Sequence, residues 1–341
     1  MRSRKRLISF GIGIVISAVF IYMILRNIDF DELYLALRSA NYYWLLPNIF
    51  FVCFAMFQRA ERWKYMLNPI GSVAYRRLLA ATCIGFMANN VLPLRLGEFV
   101  RAYSLSKQDS RITKSASLAT IFIERMVFDL LALLLILAVI LFVAPIEVPP
   151  SFKTGGMLSL IIAVIGLLFA VAVVLRPEGA GRLMTRYLFF LPGFLKSRVA
   201  ETVEKFSKGL LFLKDWKNTA YVAAHTIFLW LFMGISNIFV FYAFGFELPV
   251  YASYVLLVVV SIAILIPSSP GFIGVYHAGV VITLNLFKVD PHNAVSCAIV
   301  LHAAQFIPIT LMGFYYLKKA HLSLSQLEKE ALEENHERDS R

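Results

Sequence analysis

The spacing of its apolar runs constrains this chain most. Residues 7–25, 117–143, 157–175, 219–244 and 293–317 are predominantly apolar, and each is long enough to cross a hydrocarbon core of about 30 Å. With 59% hydrophobic and 16% charged residues, the composition excludes an ordinary soluble domain. A further run from residue 44 to 57, extending toward Arg62, opens on Tyr42, Tyr43 and Trp44, which read as an interfacial aromatic belt. A backbone in lipid must satisfy its own hydrogen bonds, so the expected fold is all-α and polytopic.

The formal net charge of +12 does not indicate nucleic acid. The bases fall between the apolar runs, where the positive-inside rule places them. Arg2, Arg4, Lys5 and Arg6 put the N-terminus in the cytoplasm. Residues 58–77 carry five bases against one acid, and residues 176–218 nine against four, so both are expected on that side. In the second of these, Val199, Val203, Phe206 and Leu210 recur at helical spacing opposite Arg198, Lys205 and Lys208, as in an interfacial amphipathic helix. Residues 29–40 form a shorter amphipathic segment for the outer surface, with Phe30, Leu33 and Leu37 on one face. The first run lacks a small-x-small cleavage site and reads as an anchor. Gly11 and Gly13 on it read as packing positions.

Two stretches do not fit a simple span. Residues 78–92 are short, and residues 95–114 beyond them carry five bases against two acids. A full crossing would place those bases outside, so we expect a re-entrant hairpin that turns at Pro93 to Gly97 and returns by Leu105. Residues 251–266 and 275–287 are also short and flank PSSPGFIG, with Pro267, Pro270, Gly271 and Gly274 at the turn. This reads as a second hairpin. The order of span, amphipathic segment, span, hairpin and span then occurs twice, each half with an odd number of crossings. The expected architecture is two inverted repeats, about six full spans plus two re-entrant helical hairpins. The first repeat covers 1–155 and the second 156–320, with a cytoplasmic amphipathic segment at 176–218. A polar cytoplasmic tail follows at 321–341. Both hairpins carry L/I-P-x-x-x-G, and short Pro/Gly-interrupted segments at matching places point to a midplane substrate site.

Polar groups at that depth are expensive and mark candidate sites. Asn89 and Asn90 precede the first turn and suit either a ligand or a helix cap. Arg95, Glu98 and Arg101 follow it. Arginine suits bidentate phosphate contact, and a helix starting near Leu96 would add its N-terminal amides. Glu124, Arg125 and Asp129 lie about 15 Å into a helix. For Asp129 a structural i,i+4 ion pair competes with a ligand role. His277 follows the second turn, and His302 lies in the last span with Gln305 one turn on; two matched histidines raise the prospect of proton-linked transport. Asn237 reads as interhelical glue, and His225 receives no role. Cys53, Cys83 and Cys297 read as small buried hydrophobes. No metal, nucleotide or cofactor motif is present, so neither a cofactor nor a catalytic domain is expected.

The segments ERW at Glu61 to Trp63, NNVLPLRLGEFVRAYSL, IERMVFDL and IPSSPGFIGVYHAGVV resemble the flippase-like membrane family. That family comprises the transmembrane region of lysylphosphatidylglycerol synthases and its stand-alone relatives. The resemblance implies a lipid-handling protein, with some members linked to moving lipid or polyprenyl-phosphate conjugates between leaflets. Some members fuse that region to an aminoacyl-transferase domain; none is read in this sequence, so aminoacylation is not expected. His277 and His302 stand where glutamate and arginine are common in the family. The expectation is therefore a carrier of an anionic lipid in a prokaryotic cell membrane, with both termini cytoplasmic. Arg95, Arg101 and Arg125 would bind phosphate, while Glu98, Asp129 and the histidines would balance charge. A membrane-embedded transferase or its accessory subunit, and a scaffold for a glycosyltransferase, are the alternatives.

Overall fold

A computed structural model describes residues 2–143 and 211–330, with isolated helical positions at Thr154, Met157, Leu158, Ile161, Val164 and Ile165. The expected span at 157–175, most of the amphipathic segment at 176–218 and the end of the tail lie outside the described residues. Every regular element among those described is helical. In chain order they are α1 (Arg2–Leu25), α2 (Phe30–Ser39), α3 (Leu45–Leu67), α4 (Tyr75–Val91), α5 (Gly97–Gln108), α6 (Lys114–Ile123) and α7 (Leu130–Val143). After the undescribed stretch come α8 (Trp216–Ala243), α9 (Val250–Ala263), α10 (Val275–Leu286) and α11 (Pro291–Lys319). Among the described residues, three helices are long and apolar enough to cross a membrane: Lys114–Phe142, Trp216–Ala243 and Pro291–Lys319. The last part of α1 and α2 are bent by 88° and together make a fourth candidate.

The chain forms two compact units. Unit 1 comprises Met1–Phe57, Thr82–Arg101 and Leu229–Arg341; unit 2 comprises Gln58–Ala81 and Ala102–Phe228. These units interleave along the sequence, whereas the expected repeat halves at 1–155 and 156–320 are contiguous.

At both expected hairpins, two helices are joined through a short turn. The ends of the first are tied by an ion pair between Arg77 and Asp109, Nη1 to Oδ2 at 2.8 Å. Near its turn a Cβ on Gly85 would lie 2.5 Å from that of Arg101 and 2.8 Å from the Gly97 carbonyl, so only hydrogen fits there. The second hairpin packs α9 on α10, and its ends meet where the Tyr251 and Phe287 rings lie 5.9 Å apart. At 12 residues each, α5 and α10 rise only about 18 Å, too short to span the core alone.

The second turn rests on α1. A Cβ on Gly13 would lie 2.8 Å from the Ser268 carbonyl oxygen, and Ser269 N–H donates to Ser17 Oγ at 2.9 Å. Close backbone approach through small residues is how helices associate where lipid is as apolar as leucine. Gly11, by contrast, has open space around it.

α2 buries Leu33 and Ala36 and packs on α11, with Ser296 Oγ donating to the Leu33 carbonyl at 3.3 Å. Phe30 is exposed beside Tyr34 and Leu35, so the apolar face expected from Phe30, Leu33 and Leu37 is divided. In the expected solvated tail, residues 324–330 are helical and Leu327 is buried.

Candidate functional site

The site residues fall in two places, one in each unit. In unit 1 the tips of the two hairpins touch. Pro93–Arg95 makes a single 3₁₀ turn, and Arg95 adopts a left-handed backbone at φ 54°. Pro270–Phe272 makes the corresponding turn, with Gly271 at φ 72° and Phe272 at φ 58°. Such conformations strain any residue but glycine and persist where surrounding contacts fix them. Here the half-buried Arg95 guanidinium lies 5.5 Å from the Phe272 ring centroid and donates from Nη1 to the Ile264 carbonyl at 3.2 Å. Ile264 caps the C-terminus of α9, where carbonyls attract a cation.

Asn89 caps α5: its Oδ1 accepts from Gly97 N–H at 2.8 Å, and its Nδ2 donates to Glu98 at 3.2 Å. The first amide of α5, expected to face an anion, is therefore taken by Asn89. Asn90 reaches the other way, donating to Thr310 Oγ1 at 2.9 Å and the Phe306 carbonyl at 3.4 Å on α11. Arg101 is 2% exposed, packed where α4 and α5 approach most closely, and is not a surface arginine.

His277 and His302 come together, with ring centroids 4.8 Å apart. His302 Nε2 lies 2.8 Å from the Gly271 carbonyl, which requires a proton on that nitrogen. His277 Nδ1 accepts from Gly274 N–H at 3.4 Å, capping α10 at a glycine with φ 89°. The pair thus holds the Pro270 to Gly274 turn. Tyr276 donates to Gln305, and Gln305 to Asn237, which donates to the Ser253 carbonyl at 3.3 Å; Asn237 is the expected interhelical link. Pro267 is exposed and Pro270 half-buried.

Unit 2 holds a buried charge cluster. Glu124 to Asp129 is π-helical rather than α-helical, and Leu130 N–H donates back to the Arg125 carbonyl. The Arg62 guanidinium bridges both acids, 2.8 Å to Glu124 and 2.7 Å to Asp129, and also donates to Thr226 Oγ1 at 3.0 Å. Arg125 reaches Asp129 at 3.1 Å and Arg59 lies 3.9 Å from it. Next to Arg62, Trp63 donates from Nε1 to Thr120 Oγ1 at 2.9 Å. His225 lies 2.6 Å from Gln58.

Arg59 and Arg62 were counted only among the bases of residues 58–77 and given no site role; they are 6% and 0% exposed and belong to this cluster. The available signal was the ERW segment and the continuation of the apolar helix past Phe57. Phe272 was also missed, since an aromatic in a turn carries no sequence mark.

An all-helical chain with several apolar helices, polar hairpin tips and buried ion clusters has the features of a polytopic membrane protein. Residues 10–313 match the family described as the lysylphosphatidylglycerol synthase TM region, and the chain belongs to it. It is 24% identical over 320 residues to a stand-alone protein named "UPF0104 membrane protein" from Methanothermobacter thermautotrophicus, covering 89% of this chain and 93% of that one. No solved structure matches.

Proposed function

We propose that the protein carries an anionic, phosphate-bearing lipid between the leaflets of a prokaryotic cell membrane, with both termini cytoplasmic and without covalent chemistry. The lipid is a phospholipid or a polyprenyl-phosphate conjugate. The observation that carries this reading is Arg95 at the meeting of the two hairpin tips. A guanidinium keeps its charge at any relevant pH and cannot escape desolvation by losing a proton. At this position it holds a neutral carbonyl and an aromatic face. A phosphate offers the charge-assisted, bidentate contact that a planar guanidinium suits. His277, His302 and Asn90 keep the turns in place around it.

Reconstitution of the purified protein in liposomes with a headgroup-labelled anionic phospholipid tests this reading. Quenching of the outer leaflet should reveal protein-dependent exchange, which Arg95→Lys reduces at least tenfold while leaving yield and melting temperature near wild type. A lysine keeps the charge and loses the planar fork. Exchange no faster than in empty liposomes refutes the reading, and a covalently altered lipid in the same vesicles replaces it with a transferase.

A further inference from the structure

We propose that His277 is a proton-operated latch on the second hairpin turn: neutral, it holds the turn closed, and a proton on its Nδ1 opens it. Its part in transport rests on the lipid-carrier reading; the latch itself stands on the geometry of unit 1.

The turn has to be held. Phe272 sits at φ 58° between Gly271 at 72° and Gly274 at 89°, and a residue with a side chain keeps such a backbone only where contacts fix it. Ser269 N–H donates to Ser17 Oγ of α1 at 2.9 Å. His302 Nε2 donates to the Gly271 carbonyl at 2.8 Å. His277 Nδ1 accepts from Gly274 N–H at 3.4 Å. His277 is the third residue of α10, so it stands where a capping box places glutamate or glutamine. An imidazole, unlike a glutamine, changes charge near neutral pH.

The two histidines meet a proton differently. His302 uses Nε2 as a donor, so a proton added at Nδ1 leaves its bond to Gly271 in place. His277 uses Nδ1 as an acceptor, and a proton there sets one N–H against another and removes the cap. The ring centroids are 4.8 Å apart, so two imidazolium charges also repel in the closed turn. The closed turn therefore holds at most one proton on this pair, whereas in the open turn each ring can hold its own. The open form binds more protons, and falling pH favours it. The elements around this corner bring few other ionisable groups to it. Tyr276 of α10 lies 6.1 Å from His277 and donates to Gln305. Cys297 of α11 lies in the apolar core with Tyr276. On α9, Tyr251 packs on Phe287 and Tyr254 donates to the Leu231 carbonyl. α1 meets the corner at Ser17. Across the tips, Arg95 lies on the Phe272 ring and Glu98 is bonded to Asn89. The latch thus closes the turn that carries the aromatic contact of Arg95.

Amide hydrogen exchange of residues 274–278 in the full-length protein in detergent, corrected for the intrinsic pH dependence of exchange, tests the latch. Protection should fall about tenfold or more between about pH 8 and pH 5, the range in which an imidazole changes charge. His277→Gln keeps an acceptor at the cap and does not titrate, so its protection should stay high across the range. His302→Gln can still donate to the Gly271 carbonyl and should keep the fall. Constant protection in the wild type, a fall that survives in His277→Gln, or one that vanishes in His302→Gln overturns the proposal. Protection that rises on acidification also overturns it, because it assigns the proton to His302. If His277→Gln does not fold, His277→Ala decides: low protection at every pH supports the latch, and a fall with pH overturns it. In liposomes with the headgroup-labelled anionic phospholipid, wild-type exchange should rise as pH falls through the same step, and that of His277→Gln should stay flat. Lipid exchange indifferent to pH in the wild type overturns the latch's part in transport. A fall in amide protection in a protein that moves no lipid supports the latch and refutes only the carrier reading.

Discussion

At Arg62 one side chain meets both buried acids and a threonine hydroxyl with essentially no contact with solvent. Removing it alone leaves two carboxylates facing an apolar interior. We predict that Arg62→Met destabilises the protein by about 3–5 kcal/mol, measured by denaturation in detergent. Asn89 is a smaller case: Asn89→Ala removes the cap of α5 and should cost about 1 kcal/mol, read by the same assay. The sequence exposed these two residues unequally. A cap beside a proline turn is local, so Asn89 was legible. Arg62 was read only as one of the bases of residues 58–77, because charge rules assign bases by position along the chain, and its burial depends on the π turn and on α8, far away in sequence.

At the scale of elements, α1 and the second hairpin turn depend on backbone contact at Gly13. Gly13→Ala puts a methyl group 2.8 Å from the Ser268 carbonyl oxygen. Overpacking of this kind costs about 1–3 kcal/mol. Gly11→Ala meets nothing within 4 Å and should leave the melting temperature unchanged or raise it slightly. Equal losses in both variants would show that helix propensity, not this contact, sets the effect. Both glycines lie on the same apolar run and read alike as packing positions. Which one faces the turn is a matter of helix phase against a segment about 250 residues later. The π turn was likewise invisible, because the spacing of Glu124, Arg125 and Asp129 also fits an ordinary i,i+4 pair.

For the whole molecule, we predict that the first hairpin is re-entrant, with both its ends on one side of the membrane. Cysteines substituted at Arg77 and Lys107 should label from the same side; labelling from opposite sides would mean that the segment crosses. The Arg77–Asp109 bond joins those ends outside the helical tips and makes stability depend on pH. Hydrogen bonds from Arg111, then Arg77, hold the buried Asp109 carboxyl well below its ordinary value of 3.8. A depressed carboxylate contributes stability that is fully present above that value and lost as pH falls below it. Asp109→Asn should therefore lower the melting temperature most at neutral pH, where the contribution is full, and so flatten the acid limb of the profile. An unchanged acid limb would place the sensitivity elsewhere.

The sequence by itself determined the all-helical membrane class, the limits of the hairpins to within a few residues and the family resemblance carried by its motifs. Those features follow from local physics: apolar length against bilayer thickness, and proline and glycine where a helix must break. Only the tertiary structure decided that Arg95 meets Phe272, that His277 and His302 clasp one turn, that Asn89 takes the α5 amide, and that Arg62 draws two acids into a π turn. Each of these joins residues on different helices, or fixes the phase of a helix against a neighbour. A one-dimensional pattern records the period of a helix but not which of its faces a distant segment will cover.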